Sequence, residues 1–390
     1  MPGGERDAGR FVADSVADLP RVGSRVTDEL AAELASTDLH VLDLHAHPQR
    51  PVPPHVLEAV MAAARENRTV PSRGLPALRQ AIAERVSVEL GQAVDPEREV
   101  LVTAGAMQAL DLVFRATLSA PRTEAITPEP CFFLDGLVPR LVTVTTFSAE
   151  GYAIDWHAFQ QAITPTTRVL LIVTPGNPTG YVLTEADIDE LSRLAERHDL
   201  LVVSDESYAG LVYDGRAHRT PLASRALRGR SVLIRSFTKS FAMPGWRVGY
   251  LVGPAALIDA CLKLLEWCAL YGSSVPQSAA LAALSGPQTW LEGVAAEFQS
   301  HRDRVHACLS RAGIETVLPA GGPFLFPDVG ALGRDDQVAL RWLNEFGIPV
   351  TPGSPLRGPG HVRLPLGGSE ATLQRLERVL TRALAHAAAV

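Results

Sequence analysis

Ser236-Phe237-Thr238-Lys239-Ser240, continued by Ala242-Met243-Pro244-Gly245-Trp246-Arg247-Val248-Gly249-Tyr250, is the stretch on which the reading of this 390-residue chain turns. It sets one lysine between hydroxyl side chains, just after the apolar run Ser231-Val232-Leu233-Ile234, and Lys239 is the only charged residue between Arg235 and Arg247. A lysine on a solvated face sits among other charges; this one does not. A desolvated amine near another cation has a lowered pKa and becomes a nucleophile at neutral pH, as Schiff-base chemistry with a carbonyl cofactor requires. Ser236 and Arg247 then suit a phosphate, the hydroxyl as donor and the guanidinium as a fork matched to phosphate oxygens.

Outward from this stretch, strand and helix patterns alternate, which predicts an α/β protein with a largely parallel sheet. Short apolar runs bounded by turn residues predict strands at Glu99 to Thr103, Glu124 to Thr127, Arg168 to Val173, Leu200 to Ser204 and Val232 to Ile234. Amphipathic helices fall between them, including Met107 to Thr117 and Glu185 to Arg197, the second entered through Thr184 as N-cap. Gly286 to Ala312 reads as one long helix leading out of the sheet, and Ile314 to Val390 as a smaller α/β unit. Residues 1 to about 20 carry several Asp, Arg and Gly and suit either a disordered tail or an arm over a neighbouring subunit.

Three further segments sit where such a sheet places ligands, at strand carboxyl ends. Thr174-Pro175-Gly176-Asn177-Pro178-Thr179-Gly180 follows one strand. Ser204-Asp205-Glu206-Ser207-Tyr208 follows the next, and a carboxylate ending an apolar strand costs several kcal/mol to bury unless a cation pairs with it. Thr103-Ala104-Gly105-Ala106-Met107 is a strand end, a small-residue turn and a helix start, where free backbone N–H groups attract an anion. Taken singly each segment also reads as an ordinary turn or cap.

The ordered set resembles fold type I pyridoxal-phosphate (PLP) enzymes of the aspartate aminotransferase type, class I/II, from about Leu44 to Val390. That resemblance implies a large PLP-binding domain over 55–290 with a mainly parallel central sheet. It also implies a smaller α/β domain over 291–390, joined by residues 1–54. It implies that Lys239 forms the imine with PLP and later moves the Cα proton, and that Asp205 pairs with the pyridine nitrogen. Asn177 and Tyr208 would hold the phenolic oxygen, and Ala106, Met107, Ser236 and Arg247 the phosphate. In Glu129-Pro130-Cys131-Phe132-Phe133, Phe132 would stack on the ring; in Gly360-His361-Val362-Arg363-Leu364-Pro365-Leu366, Arg363 would grip the substrate α-carboxylate, with Asn177, Ala46 and His47 also at the substrate. Pro319 to Pro327 matches the family's small-domain pattern. A homodimer with its active site at the interface follows by the same resemblance.

Two positions depart from the family pattern. Where a glycine-containing loop is usual, the chain reads Leu44-His45-Ala46-His47-Pro48, and where a tyrosine commonly reaches the neighbouring subunit's phosphate it has Thr69. Loss of the phenol opens space, and the histidines add polar groups or are plain loop residues. The function expected is therefore transfer of an amino group from an amino acid to a 2-oxo acid. A PLP-dependent β-elimination lyase or decarboxylating enzyme is the alternative. A non-catalytic PLP-fold sensor is a remote one, because it calls for a basic DNA-binding domain ahead of the sheet.

Composition agrees with small-molecule chemistry. The chain is 46% apolar and 20% charged, with net charge −7 and pI near 5.9, which lacks the basic footprint of a nucleic-acid binder. Four cysteines lie far apart, with no metal-ligand spacing, and read as reduced thiols in a cytoplasmic protein. The polar Met1 to Asp7 is not a signal peptide, and no stretch approaches the roughly 20 apolar residues of a membrane helix.

Overall fold

The computed structural model describes residues 19, 23–34, 40–118, 123–147 and 151–387. The arm expected over residues 1 to about 20 lies, Leu19 apart, outside them. A seven-stranded sheet comprises β1 (Val100–Thr103), β2 (Glu124–Glu129), β3 (Leu141–Thr145), β4 (Thr167–Val173), β5 (Leu201–Asp205), β6 (Ser231–Ser236) and β7 (Gly249–Val252), in the order β1-β7-β6-β5-β4-β2-β3. The pairs β2–β3, β2–β4, β4–β5 and β5–β6 are parallel, and β7 alone runs against both its neighbours, β1 and β6. Six strands therefore end at one edge.

The helices are α1 (Gly23–Leu34), α2 (Pro54–Glu66), α3 (Pro76–Leu90), α4 (Ala106–Thr117), α5 (Trp156–Ala162), α6 (Glu185–His198), α7 (Phe237–Ser240), α8 (Ala255–Ala269), α9 (Ser274–Ser285), α10 (Val294–Arg311), α11 (Asp335–Phe346) and α12 (Glu370–Ala387). Helices cover both sheet faces, which is why the central strands read as unbroken apolar runs. Val232, Ile234 and Leu101 pack with Leu110 and Val113 of α4 and Ile258 and Leu265 of α8. Their strand neighbours Leu233, Val100 and Val102 pack the other way, with Leu78, Ile82 and Val86 of α3 and Ala279 and Ala283 of α9. Thr184 caps α6 as expected, in a reciprocal capping box with Asp187.

A three-stranded antiparallel sheet, β8 (Phe324–Leu325), β9 (Thr351–Pro352) and β10 (Val362–Pro365) in the order β8-β10-β9, packs with α10, α11 and α12 around Trp342, Val362, Leu364 and Leu376. Leu42 from the N-terminal segment and Tyr208, Leu211 and Tyr213 from the loop after β5 enter this same core, so that loop is held from both sides. Arg302 of α10, almost fully buried, fastens the loop by a two-pronged pair with Asp214 at 2.7 and 2.8 Å.

Two sequence readings are corrected. Gly286 to Ala312 is not one helix: Gly286 caps α9, a short 3-10 turn covers Thr289–Leu291, and α10 begins after Gly293 at φ +75°. Pro287 lies between these glycines and cannot continue a helix from Gly286. The sheet also has two strands beyond the five expected: β3, a half-exposed edge, and β7, hidden inside the Gly249-Tyr250 end of the lysine motif.

Candidate active site

Four parallel strand ends deliver the chemistry. β1 passes through Gly105 into α4 at Ala106; β4 leads to Asn177; β5 ends on Asp205; β6 ends on Ser236, and the one-turn α7 that follows carries Lys239. Opposite them stands β10 with Arg363. Between the two sheets lies a cavity of about 600 Å³, and every candidate lines it: Ala46, His47, Ala106, Met107, Phe132, Asn177, Asp205, Tyr208, Ser236, Lys239, Arg247 and Arg363. A second cavity, of about 690 Å³, lies behind α7 against Arg85, Glu89, His218 and Arg235, and Lys239 does not face it.

Burial, followed by the Arg363 and Arg247 charges, lowers the Lys239 amine from its usual 10.5 to about 7. Its Nζ stands 5.7 Å from the centre of the Tyr208 ring. Tyr208 is buried, and burial pushes its phenol well above the ordinary range. Asn177 Nδ2 donates to the Tyr208 hydroxyl at 3.3 Å, and Asn177 Oδ1 accepts from Arg363 at 3.0 Å, so one amide spans the two groups. Arg363 also donates to Thr351 Oγ1 at 3.2 Å and lies 4.5 Å over the Phe324 ring.

Asp205 is buried and accepts from Ser207 N at 3.0 Å and Ser207 Oγ at 2.6 Å, yet no cation pairs with it among the described residues. Burial, together with the neighbouring Glu206, raises its pKa against those two hydrogen bonds. A buried carboxylate in that state fits a cationic partner arriving from the cavity. Glu206 points the other way. Burial alone would raise it, but Arg235 at 2.9 Å and His218 at 2.8 Å hold its carboxyl at about 2.

At the far end of the cavity the backbone opens onto an anion-sized cradle. Gly105 has φ +87°, and a Cβ there would stand 2.6 Å from Arg247 Nη2. The backbone angle is what favours glycine, and a methyl group there would displace the end of the Arg247 side chain. Arg247 itself has φ +53°, an uncommon conformation for a side-chain-bearing residue, and donates to Thr238 Oγ1 at 3.2 Å. The start of α4, the Arg247 guanidinium and the Ser236 and Thr238 hydroxyls converge there with no acidic side chain on that wall. Phe132 forms another wall, edge-on to Phe133.

Sequence reasoning did not single out Thr351, Phe324, Ser207 or Thr238 as site residues. Ser207 and Thr238 lay inside quoted motifs and were visible as polar neighbours of Asp205 and Lys239. Thr351 carries no local signal, since only folding brings it to Arg363.

The match to known proteins agrees with this geometry. The chain matches the family described as aminotransferase class I and II over residues 39–380. It is 34% identical to the aspartate/prephenate aminotransferase of Thermus thermophilus over 90% of this chain and 94% of that protein. It is 39% identical to the arginine–pyruvate transaminase of Pseudomonas aeruginosa over 79% and 80%. Among solved structures, the Thermus thermophilus aspartate aminotransferase with maleate superposes with a TM-score of 0.89 at 31% identity, covering 95% of this chain and 99% of that one. The chain belongs to the class I and II aminotransferase family.

Proposed function

We propose that this protein binds pyridoxal 5'-phosphate and transfers the α-amino group of an amino acid to a 2-oxo acid. The observation that carries the reading is a single buried lysine, held near neutrality at physiological pH, facing a buried carboxylate that lacks a cation, with an anion cradle at one end of the cavity and an arginine at the other. Each group of the cofactor meets a complement. Ala106, Met107, Ser236 and Arg247 would receive the phosphate; Asp205 the pyridine nitrogen; Asn177 and Tyr208 the phenolic oxygen; Phe132 the ring face. When bound, the cofactor supplies a carbonyl that condenses with amines and an electron-poor ring that stabilises negative charge at Cα.

The protein's own groups do the rest. Arg363 binds the α-carboxylate as a fork and thereby sets which Cα bond faces the ring. Lys239, as a free amine with a pKa near 7, would take the proton from Cα and deliver it to the carbon that carried the cofactor's carbonyl, which is the transfer that separates amino exchange from mere return of the substrate. Ala46 and His47 form the substrate wall beside it. The relatives named above are aminotransferases, which favours amino transfer over elimination or decarboxylation. The reading includes a division at about residue 290 into a large and a small domain, a homodimer sharing its active sites, and residence in the cytoplasm. The free thiols Cys131, Cys261, Cys268 and Cys308 support that location, and no described helix is long and apolar enough to cross a membrane.

Visible absorption spectroscopy of the purified protein with PLP tests the proposal. The cofactor band is expected to bleach with an amino acid and return with a 2-oxo acid, and Lys239→Ala to abolish that cycle. A band that does not cycle, or a Lys239→Ala protein with near-normal turnover, would sink it.

A further inference from the structure

His45 and His47 are built into the cavity more firmly than loop residues need be. Their rings stack with centroids 4.6 Å apart and planes 13° from parallel. The His45 backbone exchanges two hydrogen bonds with Gly367, at 3.0 and 2.8 Å. A Cβ on Gly367 would come within 2.3 Å of His45 Nδ1, so the glycine makes room for that ring. The His45 ring nitrogens are buried without a hydrogen bond of normal geometry, which makes the ring a platform more than a polar contact. Its stacking partner, His47, faces the substrate cavity.

His47 is neutral at physiological pH: burial, then Lys239, then His45 lower its pKa to about 4. Its Nδ1 lies 3.3 Å from the Pro48 carbonyl oxygen. A carbonyl only accepts, so that contact places the single ring proton on Nδ1 and leaves Nε2 as a bare acceptor. The charged groups of the cavity are already committed under the amino-transfer reading. Arg363 takes the α-carboxylate, Arg247 the phosphate and Asp205 the ring nitrogen, and Lys239 does the proton transfer. Among the described lining residues of a single chain this leaves no cation for an acidic side chain. The rest of the wall is mainly apolar, with Leu44, Ala46, Phe324, Pro349 and Val350 beside the stacked histidines, and the Thr351 hydroxyl is engaged by Arg363.

Resting on that reading, we infer that His47, seated on His45, is a specificity-determining residue that selects amino acids whose side chain donates a hydrogen bond and disfavours those ending in a carboxylate. A donor meets Nε2; a carboxylate meets it lone pair to lone pair. His45 acts through His47 and is a positioning residue.

Isosteric pairs decide the matter, because glutamine and glutamate, or asparagine and aspartate, differ at the tip only as donor and non-donor. The measurements are kcat/KM for each member with the PLP-loaded enzyme, and calorimetric Kd for the 2-methyl derivatives, which cannot lose a Cα proton. The amide member is expected to lead by about 100-fold or more, as in sites that hydrogen-bond their substrate. His47→Leu is expected to weaken the amide member by about 10- to 100-fold, mainly in KM and Kd, and to improve the carboxylate member, which no longer meets a lone pair. His47→Gln keeps an acceptor and should recover part of the preference. His45→Ala should erode it through KM and Kd of the amide member, because the ring acts through His47. A wild-type preference for the carboxylate member, or equal losses for both members in His47→Leu, would overturn the inference while leaving amino transfer intact. Failure of every amino acid to convert the cofactor would instead strike the amino-transfer reading, and the 2-methyl Kd values would still judge His47.

Discussion

Replacing Arg363 separates carboxylate recognition from everything else in the cavity. Arg363 is buried, braced by Asn177 Oδ1 at 3.0 Å and Thr351 Oγ1 at 3.2 Å, and laid over Phe324. A fork held that rigidly offers an α-carboxylate two charge-assisted hydrogen bonds, each contributing about 1.5–3 kcal/mol. Arg363→Met removes both, about 3–6 kcal/mol, so kcat/KM for an amino acid should fall by about 10²- to 10⁴-fold. Arg363→Lys keeps the charge but not the fork, and lysine cannot reach Asn177 and Thr351 together; a loss of about 10- to 100-fold is expected. The control is the decarboxylated amine of the same substrate, which has nothing for Arg363 to hold. Its already low rate should be nearly the same in wild type and Arg363→Met, so the preference for the amino acid collapses. A second signature comes from charge. Of the two cations depressing Lys239, Arg363 acts more strongly than Arg247, so its removal raises the amine's pKa and moves the limb of the pH profile set by free Lys239 to higher pH. Equal losses for amino acid and amine, or an Arg363→Lys enzyme within threefold of wild type, would refute the reasoning.

Three further predictions rest on separate features. In protein stripped of cofactor, Lys239 titrates near 7 folded and near 10.5 unfolded, so below pH 7 its buried charge costs about 5 kcal/mol of stability. This cost is relieved as pH rises from 7 towards 10.5, so Lys239→Met should raise the melting temperature at pH 6 and make little difference near pH 10. A pH-independent difference would contradict this. Arg235→Met leaves the fully buried Glu206 with its hydrogen bonds to His218 and Ser204, and urea unfolding at pH 7 should show a loss of about 3–5 kcal/mol; a loss under 1 kcal/mol would show that His218 and the Ser204 hydroxyl suffice. Gly105→Ala pushes a methyl group into Arg247 at a left-handed backbone position, so the Kd for PLP by fluorescence quenching should rise at least tenfold, on the order of the 1–2 kcal/mol such strain carries. An unchanged Kd would remove Arg247 from the phosphate cradle.

How far the site was legible in the sequence depends on where each group's partner lies. Lys239, Asp205, Asn177 and Ala106 stand at ends of buried parallel strands, and a buried strand announces itself as an apolar run whose end must be a turn. These residues carry their context with them along the chain. β7 does not: its first residue, Gly249, is glycine because a Cβ there would stand 2.8 Å from both Arg235 O and Gly105 C, a packing constraint with no periodic trace. β3 is a half-exposed edge without a continuous apolar run, and the Gly286 to Ala312 segment keeps helical composition across two backbone breaks set by glycines.

The same contrast explains why the histidine loop could be noticed from sequence but not interpreted there. Two lone imidazoles in a loop have no periodicity to place them, and their environment comes from Gly367 and Lys239, far along the chain. Folding turns them from surface candidates into a stacked pair whose outer ring is kept neutral beside the reacting amine. A neutral acceptor survives next to Lys239 because burial and that neighbouring charge both oppose its protonation, while burial with the Arg363 and Arg247 charges brings Lys239 itself down to about 7. Catalytic base and specificity contact thus share burial as their largest common cause. Any substitution that admits water or adds a carboxylate to this wall should raise both pKa values together, slowing proton transfer and relaxing side-chain selection in the same variant.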